Sequence, residues 1–452
     1  MYNQDTIVAL STPPGSGAIG VIRLSGPEAI NLTNSVFAGK DLSKQASHTL
    51  HFGLIKEDEL IIDEVVAGLY VAPRSYTKEN VVEISCHGSN YIIQQILNLL
   101  IKKGARAAKP GEFTLRAFLN GASDLSQAEA VADLIASDSK ASHDVALQQM
   151  RGGFSTELAG LREQLIHFAS MIELELDFAE EDVEFANRDQ LKALILKINN
   201  VLHRLISSFE MGNVLKNGVP IVIAGKPNVG KSTLLNALLN EDRAIVSDIA
   251  GTTRDTIEDE LNINGIIFRF IDTAGIRDTA DIIEAKGVER TLERMKQAKL
   301  ILYMVDALQT PDELEEQLTD LKKIEIPYLA IVNKADLFTS EQKEAFAKQE
   351  VLFLSAKENI GVDELKEALL AKVNLHAINT SETLVSNIRH VEALKNTEQA
   401  LANVLNNIDN PVTSDFLAMD IKQALHYLGE ITGMVTTDDL LENIFSKFCI
   451  GK

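Results

Sequence analysis

The run Gly225-Lys-Pro-Asn-Val-Gly-Lys-Ser232 fits G-x-x-x-x-G-K-[ST], and residues of these types in this order suit one task, the holding of a polyphosphate. The glycines let backbone N–H groups curl around phosphate oxygens, and the N-terminus of a following helix adds positive dipole. Lys231 then reaches the outer phosphates, and Ser232 offers its hydroxyl to Mg2+. The context fits this reading. The apolar run Ile221-Val-Ile-Ala224 precedes the loop as a strand, and Thr233-Leu-Leu-Asn-Ala-Leu238 follows as the start of a helix.

Four further elements stand in order: Thr252-Thr-Arg-Asp255, Asp272-Thr-Ala-Gly275, Asn333-Lys-Ala-Asp336 and Ser355-Ala-Lys357. Together with the loop they resemble the full signature set of Ras-like GTPases. Asp336 is placed to accept from the N1–H and exocyclic amine of guanine, which adenine lacks in that arrangement, so the nucleotide is GTP. The resemblance implies a nucleotide site of Asn228, Val229, Gly230, Lys231, Ser232 and Thr233 from the phosphate loop. Ser247, Asp248, Ile249, Ala250, Gly251, Thr252 and Thr253 come from a first switch, with Thr253 joining Ser232 on Mg2+. Asp272, Thr273, Ala274 and Gly275 open a second switch over 272–287, Asp272 acting on Mg2+ through water. Asn333, Lys334, Asp336, Ser355, Ala356 and Lys357 hold the base side.

Ras-like enzymes orient the attacking water with a glutamine just after the Asp-x-x-Gly motif, whereas Ile276 here has no polar group. Charge stabilisation then comes from an arginine finger or from a monovalent cation between the phosphates. Asn228, inside the phosphate loop, either gives its side-chain oxygen to such a cation or is simply a residue the loop tolerates.

The loop asparagine, the stretch Ile245-Val-Ser-Asp-Ile-Ala-Gly-Thr-Thr-Arg254 and the terminal Cys449-Ile-Gly-Lys452 resemble the MnmE (TrmE) family, and the resemblance spans the whole chain. It implies K+ bound by Asn228, Ser247, Ile249 and Thr252, ordering the first switch and bringing the GTPase domains of a homodimer face to face. It places the catalytic glutamate at Glu284, orienting water through a bridging water; the neighbouring acids Asp278, Asp281 and Glu289 are not separated from it by spacing alone. It further implies an FAD-containing MnmG (GidA) type partner in a heterotetramer or larger assembly. The implied substrate is tRNA, whose wobble uridine (position 34) gains a carboxymethylaminomethyl or aminomethyl-type group at C5.

Thr12-Pro-Pro-Gly15, Ile22-Arg-Leu-Ser-Gly26, His87-Gly88 and Ala108-Lys-Pro-Gly-Glu-Phe-Thr-Leu-Arg-Ala-Phe-Leu-Asn120 are similar to the N-terminal signatures of the same family. These imply a tetrahydrofolate derivative (5-formyl- or methylene-tetrahydrofolate) held by Arg23, Glu83, Ala122 and Lys452; without the resemblance, Arg23 and Glu83 read as a surface ion pair. One departure stands out. Where the family carries a lysine or arginine before the next helix, this chain has Ala122, which has only backbone to offer, with Lys109 or Arg116 as charged substitutes. Cys449 is either a thiol at the modification centre or a small apolar residue. Gly15-Ser-Gly-Ala-Ile-Gly20 lacks the spacing of a dinucleotide fingerprint and reads as a turn.

The elements that must position these residues follow from periodicity. β-branched runs at 6–10, 20–24 and 81–85 alternate with helical stretches at 28–37 and 89–103. From Asp124, which forms a capping box with Gln127, Leu147, Phe154, Leu158, Leu161, Leu165 and Phe168 recur at helical spacing. Strands and helices alternate between Val219 and about 374, with Asn264-Gly265 as a hairpin turn that makes the sheet mixed. The helical period returns with Leu384, Ile388, Val391 and Leu394. The expected fold is multidomain α/β and α: an N-terminal α+β folate-binding and dimerisation domain (1–118), a long-helix domain in two parts (119–217 and 375–452), and an inserted Ras-like mixed-sheet domain (218–374).

Composition sets the limits. At 452 residues the chain exceeds what one core supports. Forty-three basic against 65 acidic residues give a net charge of −22, so any RNA contact is local or shared with a partner. The same acidity argues against an Era-like ribosome-assembly or RNA-binding GTPase, which would carry a basic appendage. Two cysteines are too few for a disulfide framework. Neither a secretory signal nor an apolar membrane span is read, so the expected compartment is the cytoplasm. The acidic run Glu173 to Glu184 reads as a solvated helix face.

Overall fold

A computed structural model describes residues 5–177, 187–242, 259–271, 295–305, 310–346, 349–373, 383–408 and 414–451. The chain forms two compact units, one of Met1–Ile135, Gln148–His203 and Arg389–Lys452, the other of Ala136–Leu147 and Arg204–Ile388. In chain order the second is therefore inserted into the first.

The first unit opens with seven strands: β1 (Ile7–Leu10), β2 (Ile19–Ser25), β3 (Phe37–Ala38), β4 (Thr49–Glu57), β5 (Leu60–Tyr70), β6 (Val81–His87) and β7 (Arg106–Ala107). They form one sheet in the order β3-β4-β5-β6-β2-β1-β7, antiparallel except where β1 runs parallel to β7. Period-two alternation decides which side chains are buried. Ile22 and Leu24 of β2 and Val82, Ile84 and Cys86 of β6 join the core with the helix Asn90–Lys102. Arg23 and Glu83 thereby fall on the opposite face, as direct cross-strand partners. On that face Ile7, Ala9 and Phe113 make a smaller buried cluster.

The helical part supplies Leu125–Ile135, Gly153–Asp177, Ile388–Ile408, Ser414–Thr432 and Asp438–Phe445. Asp124 and Gln127 bond reciprocally as the capping box requires, at 3.0 and 2.9 Å. Phe154, Leu158, Leu161, Leu165, Phe168 and Ile172 are buried along one stripe of the helix Gly153–Asp177, each fully buried leucine contributing about 1.5–3 kcal/mol. Leu147 does not belong to that stripe, because the helix breaks at Gly152, whose φ of 80° is left-handed. Nor do Leu384 and Ile388 share a face with Val391 and Leu394. Leu384 packs in the core of the inserted unit, Val385 N–H donates to the Ser208 hydroxyl at 3.1 Å, and the helix starts only at Ile388, which is exposed. Glu175, expected on a solvated face, is buried and paired with Arg188 at 2.6 Å.

In the inserted unit, β8 (Val219–Gly225), β9 (Asp259–Ile263), β10 (Ile266–Phe270), β11 (Leu300–Val305), β12 (Tyr328–Val332) and β13 (Val351–Phe353) order as β13-β12-β11-β8-β10-β9. Only β9 is antiparallel, joined to β10 through Asn264 and Gly265 at φ 53° and 84°, the positive pair that a two-residue hairpin turn requires. Ile221, Val222, Ile223 and Ala224 are all buried, as expected of a central parallel strand covered on both faces. Among the described residues no helix is long and apolar enough to cross a membrane.

A buried charge cluster joins the helical segments of the first unit. Glu129 accepts from Arg389 Nη2 at 2.8 Å and lies 2.8 Å from His390 Nε2, while Arg389 also donates to the carbonyls of Glu430 and Ile431. Burial alone would raise the Glu129 pKa, but the His390 ring and the Arg389 guanidinium outweigh it and hold the carboxyl at about 2, against an ordinary 4.5. A depressed carboxylate pKa stabilises the fold above the ordinary value and ceases to do so as pH falls through the folded one. Glu129→Gln should therefore cost about 3 kcal/mol at neutral pH. Denaturant titration should show that deficit constant above the ordinary 4.5 and closing as pH falls to about 2.

Candidate functional site

The phosphate loop leaves the carboxyl end of β8, and the Asn333 and Ser355 segments leave the carboxyl ends of β12 and β13. Parallel topology thus brings loops far apart in sequence to one edge of the sheet, where ligands of such folds bind. Lys231 begins the helix Lys231–Asp242. Its Nζ donates to the carbonyls of Gly225 and Lys226 at 2.9 and 2.8 Å, and burial lowers its pKa from the ordinary lysine range. Asn228 has φ 63°, a left-handed conformation that asparagine tolerates better than most residues, so its type has a backbone reason.

Asn333 is the pin of this edge. Its Nδ2 donates to the Val229 carbonyl at 2.8 Å, and its Oδ1 accepts from the Ala356 N–H at 3.0 Å. One buried amide therefore bonds the phosphate loop on one side and the Ser-Ala-Lys loop on the other. Gly230 is required by the same contact: at φ 101°, a Cβ there would lie 2.2 Å from Asn333 Nδ2. Lys334 is left-handed at φ 62°, turning the chain so that Asp336 follows in a short 3-10 helix. Asp336 is held below the usual carboxylate range, first by the Ser355 hydroxyl and more weakly by the Lys357 ammonium. It is thus an ionised acceptor, able to take two N–H donors at once.

A second cluster lies in the first unit. Arg23 Nε donates to Glu83 Oε1 at 2.9 Å, and the guanidinium carbon stands 5.3 Å from the Tyr76 ring centroid and 5.8 Å from that of Phe113. Arg23 Nη1 also donates to the Gly451 carbonyl at 3.4 Å, which Ser11 Oγ reaches at 3.2 Å. Gly111 N–H donates to the Cys449 carbonyl at 3.4 Å. Gly451 has φ 95°, and a Cβ there would meet the Leu10 carbonyl at 2.2 Å, so only glycine fits. Phe445 and Phe448, buried with Leu125 and Leu441, fix the tail's approach. The C-terminal Cys-Ile-Gly run is thereby docked on the Arg23–Glu83 pair, with Cys449 itself exposed.

The model of the MnmE helical domain matches residues 125–449, and that of the GTP-binding protein TrmE N-terminus matches residues 6–122. The tRNA modification GTPase MnmE of Cytophaga hutchinsonii is 60% identical over 452 residues, covering 100% of this chain and 98% of that protein. The chain belongs to the MnmE family. The protein of the same name from Flavobacterium johnsoniae is 55% identical over 466 residues, and that of Bacteroides fragilis strain YCH46 is 53% identical over 466 residues, each covering all of both chains. As an MnmE-family GTPase, the chain is an enzyme acting on GTP.

Against the sequence expectations, Ala122 has less to offer than its backbone suggests. Its N–H donates to the Ala117 carbonyl at 2.8 Å, closing the helix Glu112–Leu119 behind the left-handed Gly121. Arg116 is not a free substitute for the missing charge: buried, it is engaged by Asp5, Glu79 and Glu112. Of the two rings that give Arg23 an aromatic setting, Phe113 stands inside the signature running from Ala108 to Asn120, whereas Tyr76 carries no sequence signal beyond being aromatic. Asp63 was likewise unforeseen; it accepts from His87 Nδ1 at 2.7 Å and His87 N–H at 2.8 Å. Ser247, Asp248, Ile249, Ala250, Gly251, Thr252, Thr253, Asp272, Thr273, Ala274, Gly275, Glu284 and Lys452 lie outside the described residues.

Asn333→Ala should leave the Val229 carbonyl and the Ala356 N–H of this MnmE-family chain buried without their partner. We expect a loss of about 2–3 kcal/mol, read as a lower denaturation midpoint of the nucleotide-free protein and accompanied by faster GDP release. An unchanged midpoint would show that the amide does not join the two loops energetically.

Proposed function

We propose that this chain is a K+-assisted GTPase working as a cytoplasmic homodimer with an FAD-containing MnmG-type subunit. Together they modify C5 of the wobble uridine of tRNA, with a one-carbon unit from formyl- or methylene-tetrahydrofolate. The observation that carries the reading is the docking of Gly451 on Arg23, which brings the Cys449-to-Lys452 tail to the Arg23–Glu83 pair. The names of the full-length relatives, tRNA modification GTPases, support the substrate class.

In this reading Lys231 and the loop amides bind the GTP phosphates, Ser232 and Thr253 hold Mg2+, and Asp336 selects guanine. Ile276 provides no group to position water, so Glu284 takes that task. Asn228, Ser247, Ile249 and Thr252 hold K+, which supplies positive charge between the phosphates where other GTPases insert an arginine. Asn228 fits, since its oxygen-bearing side chain stands on the same loop as Lys231. On the folate side, Arg23 presents charge and Glu83 an acceptor to a planar ring with several N–H donors, flanked by Tyr76 and Phe113. That chemistry suits a reduced pterin, whose bound role would be to supply the one-carbon unit. Lys452 and Cys449 complete the modification centre in this reading.

Replacing Na+ by K+ should raise GTP turnover by on the order of tenfold or more. Asn228→Gly, which keeps the left-handed backbone and removes only the side chain, should abolish that difference while retaining GTP affinity. Equal rates in both salts would overturn the cation assignment. For the RNA substrate, nucleosides digested from bulk tRNA of a strain lacking the gene should have lost the wobble-uridine modification; its retention would refute the tRNA assignment.

A further inference from the structure

Lys78 has an unusual conformation in the first unit. Its backbone is left-handed, with φ 59°, a conformation that glycine adopts freely and lysine does not. The loop around it is fixed. Thr77 Oγ1 bonds Ser25 Oγ at 2.6 Å, the Thr77 carbonyl accepts from Asn120 Nδ2 at 2.7 Å, and the Tyr76 hydroxyl bonds Thr114 Oγ1 at 2.8 Å. From this loop the Lys78 ammonium reaches the Gly121 carbonyl, next to Ala122. The side chain is exposed, and among the described residues no carboxylate pairs with it. An exposed cation at the end of a helix gains about 0.3–1 kcal/mol, less than the roughly 1–2 kcal/mol that a left-handed lysine loses, so the helix end alone does not explain it.

Its position relative to Arg23 is informative. The helix Glu112–Leu119 and its turn run from Phe113, beside Arg23, to Gly121, beside Lys78. The six helical steps from Phe113 to Leu119 rise about 9 Å, and the turn through Asn120 to Gly121 follows. A ligand with a planar head at Arg23–Glu83, a rigid aromatic spacer and a terminal carboxylate would place that carboxylate at Lys78. Residue 122, by contrast, offers neither charge nor a free N–H.

We propose that Lys78 binds the carboxylate of the ligand's glutamyl tail, supplying the positive charge that residue 122 lacks; this rests on the folate reading above. The left-handed backbone carries the ammonium to the Gly121 carbonyl, beside residue 122. The test is calorimetric titration with 5-formyl-tetrahydrofolate and with 6-methyltetrahydropterin, which has the head but no tail. Lys78→Gly should raise the Tm by relieving the left-handed strain, weaken 5-formyl-tetrahydrofolate roughly 5- to 10-fold, and leave 6-methyltetrahydropterin binding and GTP turnover unchanged. Adding Ala122→Lys to that variant should restore the lost affinity. Unchanged 5-formyl-tetrahydrofolate affinity in Lys78→Gly, or equal losses for both ligands, would overturn the assignment alone. Failure of the wild-type protein to bind either ligand would instead overturn the folate reading, and this assignment with it.

Discussion

The side-chain amide of Asn333 is the interaction on which the nucleotide-handling edge depends. Backbone ladders hold each strand of the sheet to its neighbours, but loops beyond the strand ends need their own ties. Here one amide accepts from Ala356 and donates to Val229, so the phosphate-side and base-side loops share a residue that cannot move without releasing both. Gly230 and Lys334, each left-handed, are the backbone adjustments that allow so close an approach. The placement of Asp336 relative to Lys231 depends on these loops being held in register.

In the first unit, a chain with a large excess of carboxylates uses buried and half-buried arginines as organisers. Arg389 binds Glu129 and two carbonyls, Arg116 binds Asp5, Glu79 and Glu112, and Arg23 binds Glu83 and the tail. Each guanidinium joins elements far apart in sequence, and its planar set of donors suits several acceptors at once. Such buried clusters fix a particular arrangement more than they add net stability, since desolvation offsets much of the attraction.

What the sequence reveals is what local chemistry dictates. The Asn264-Gly265 hairpin, the Asp124–Gln127 capping box and the glycine-rich loop between strand and helix are legible because each needs particular residues at short, fixed spacing. The docking of Gly451 on Arg23 is not, because no local pattern records a contact across the length of the chain. Periodicity likewise misplaces Leu384 and Ile388, where an extended segment held by Ser208 imitates a helical repeat. Glu175 reads as a solvated charge and Arg116 as a charged substitute for residue 122 until packing supplies their partners.

The bond from Arg23 to Gly451 spans 428 positions of sequence. At ribosomal rates of roughly 5–20 residues per second, Arg23 is made on the order of 20–90 s before its carbonyl partner exists. The sheet that carries Arg23 and Glu83 is built from strands within the first part of the chain and has that interval in which to fold. Its contact with the tail, however, can form only after the inserted unit and the last helix have followed. Assembly of this site is therefore a late event in the life of each new molecule, set by the order of synthesis rather than by the speed of local folding.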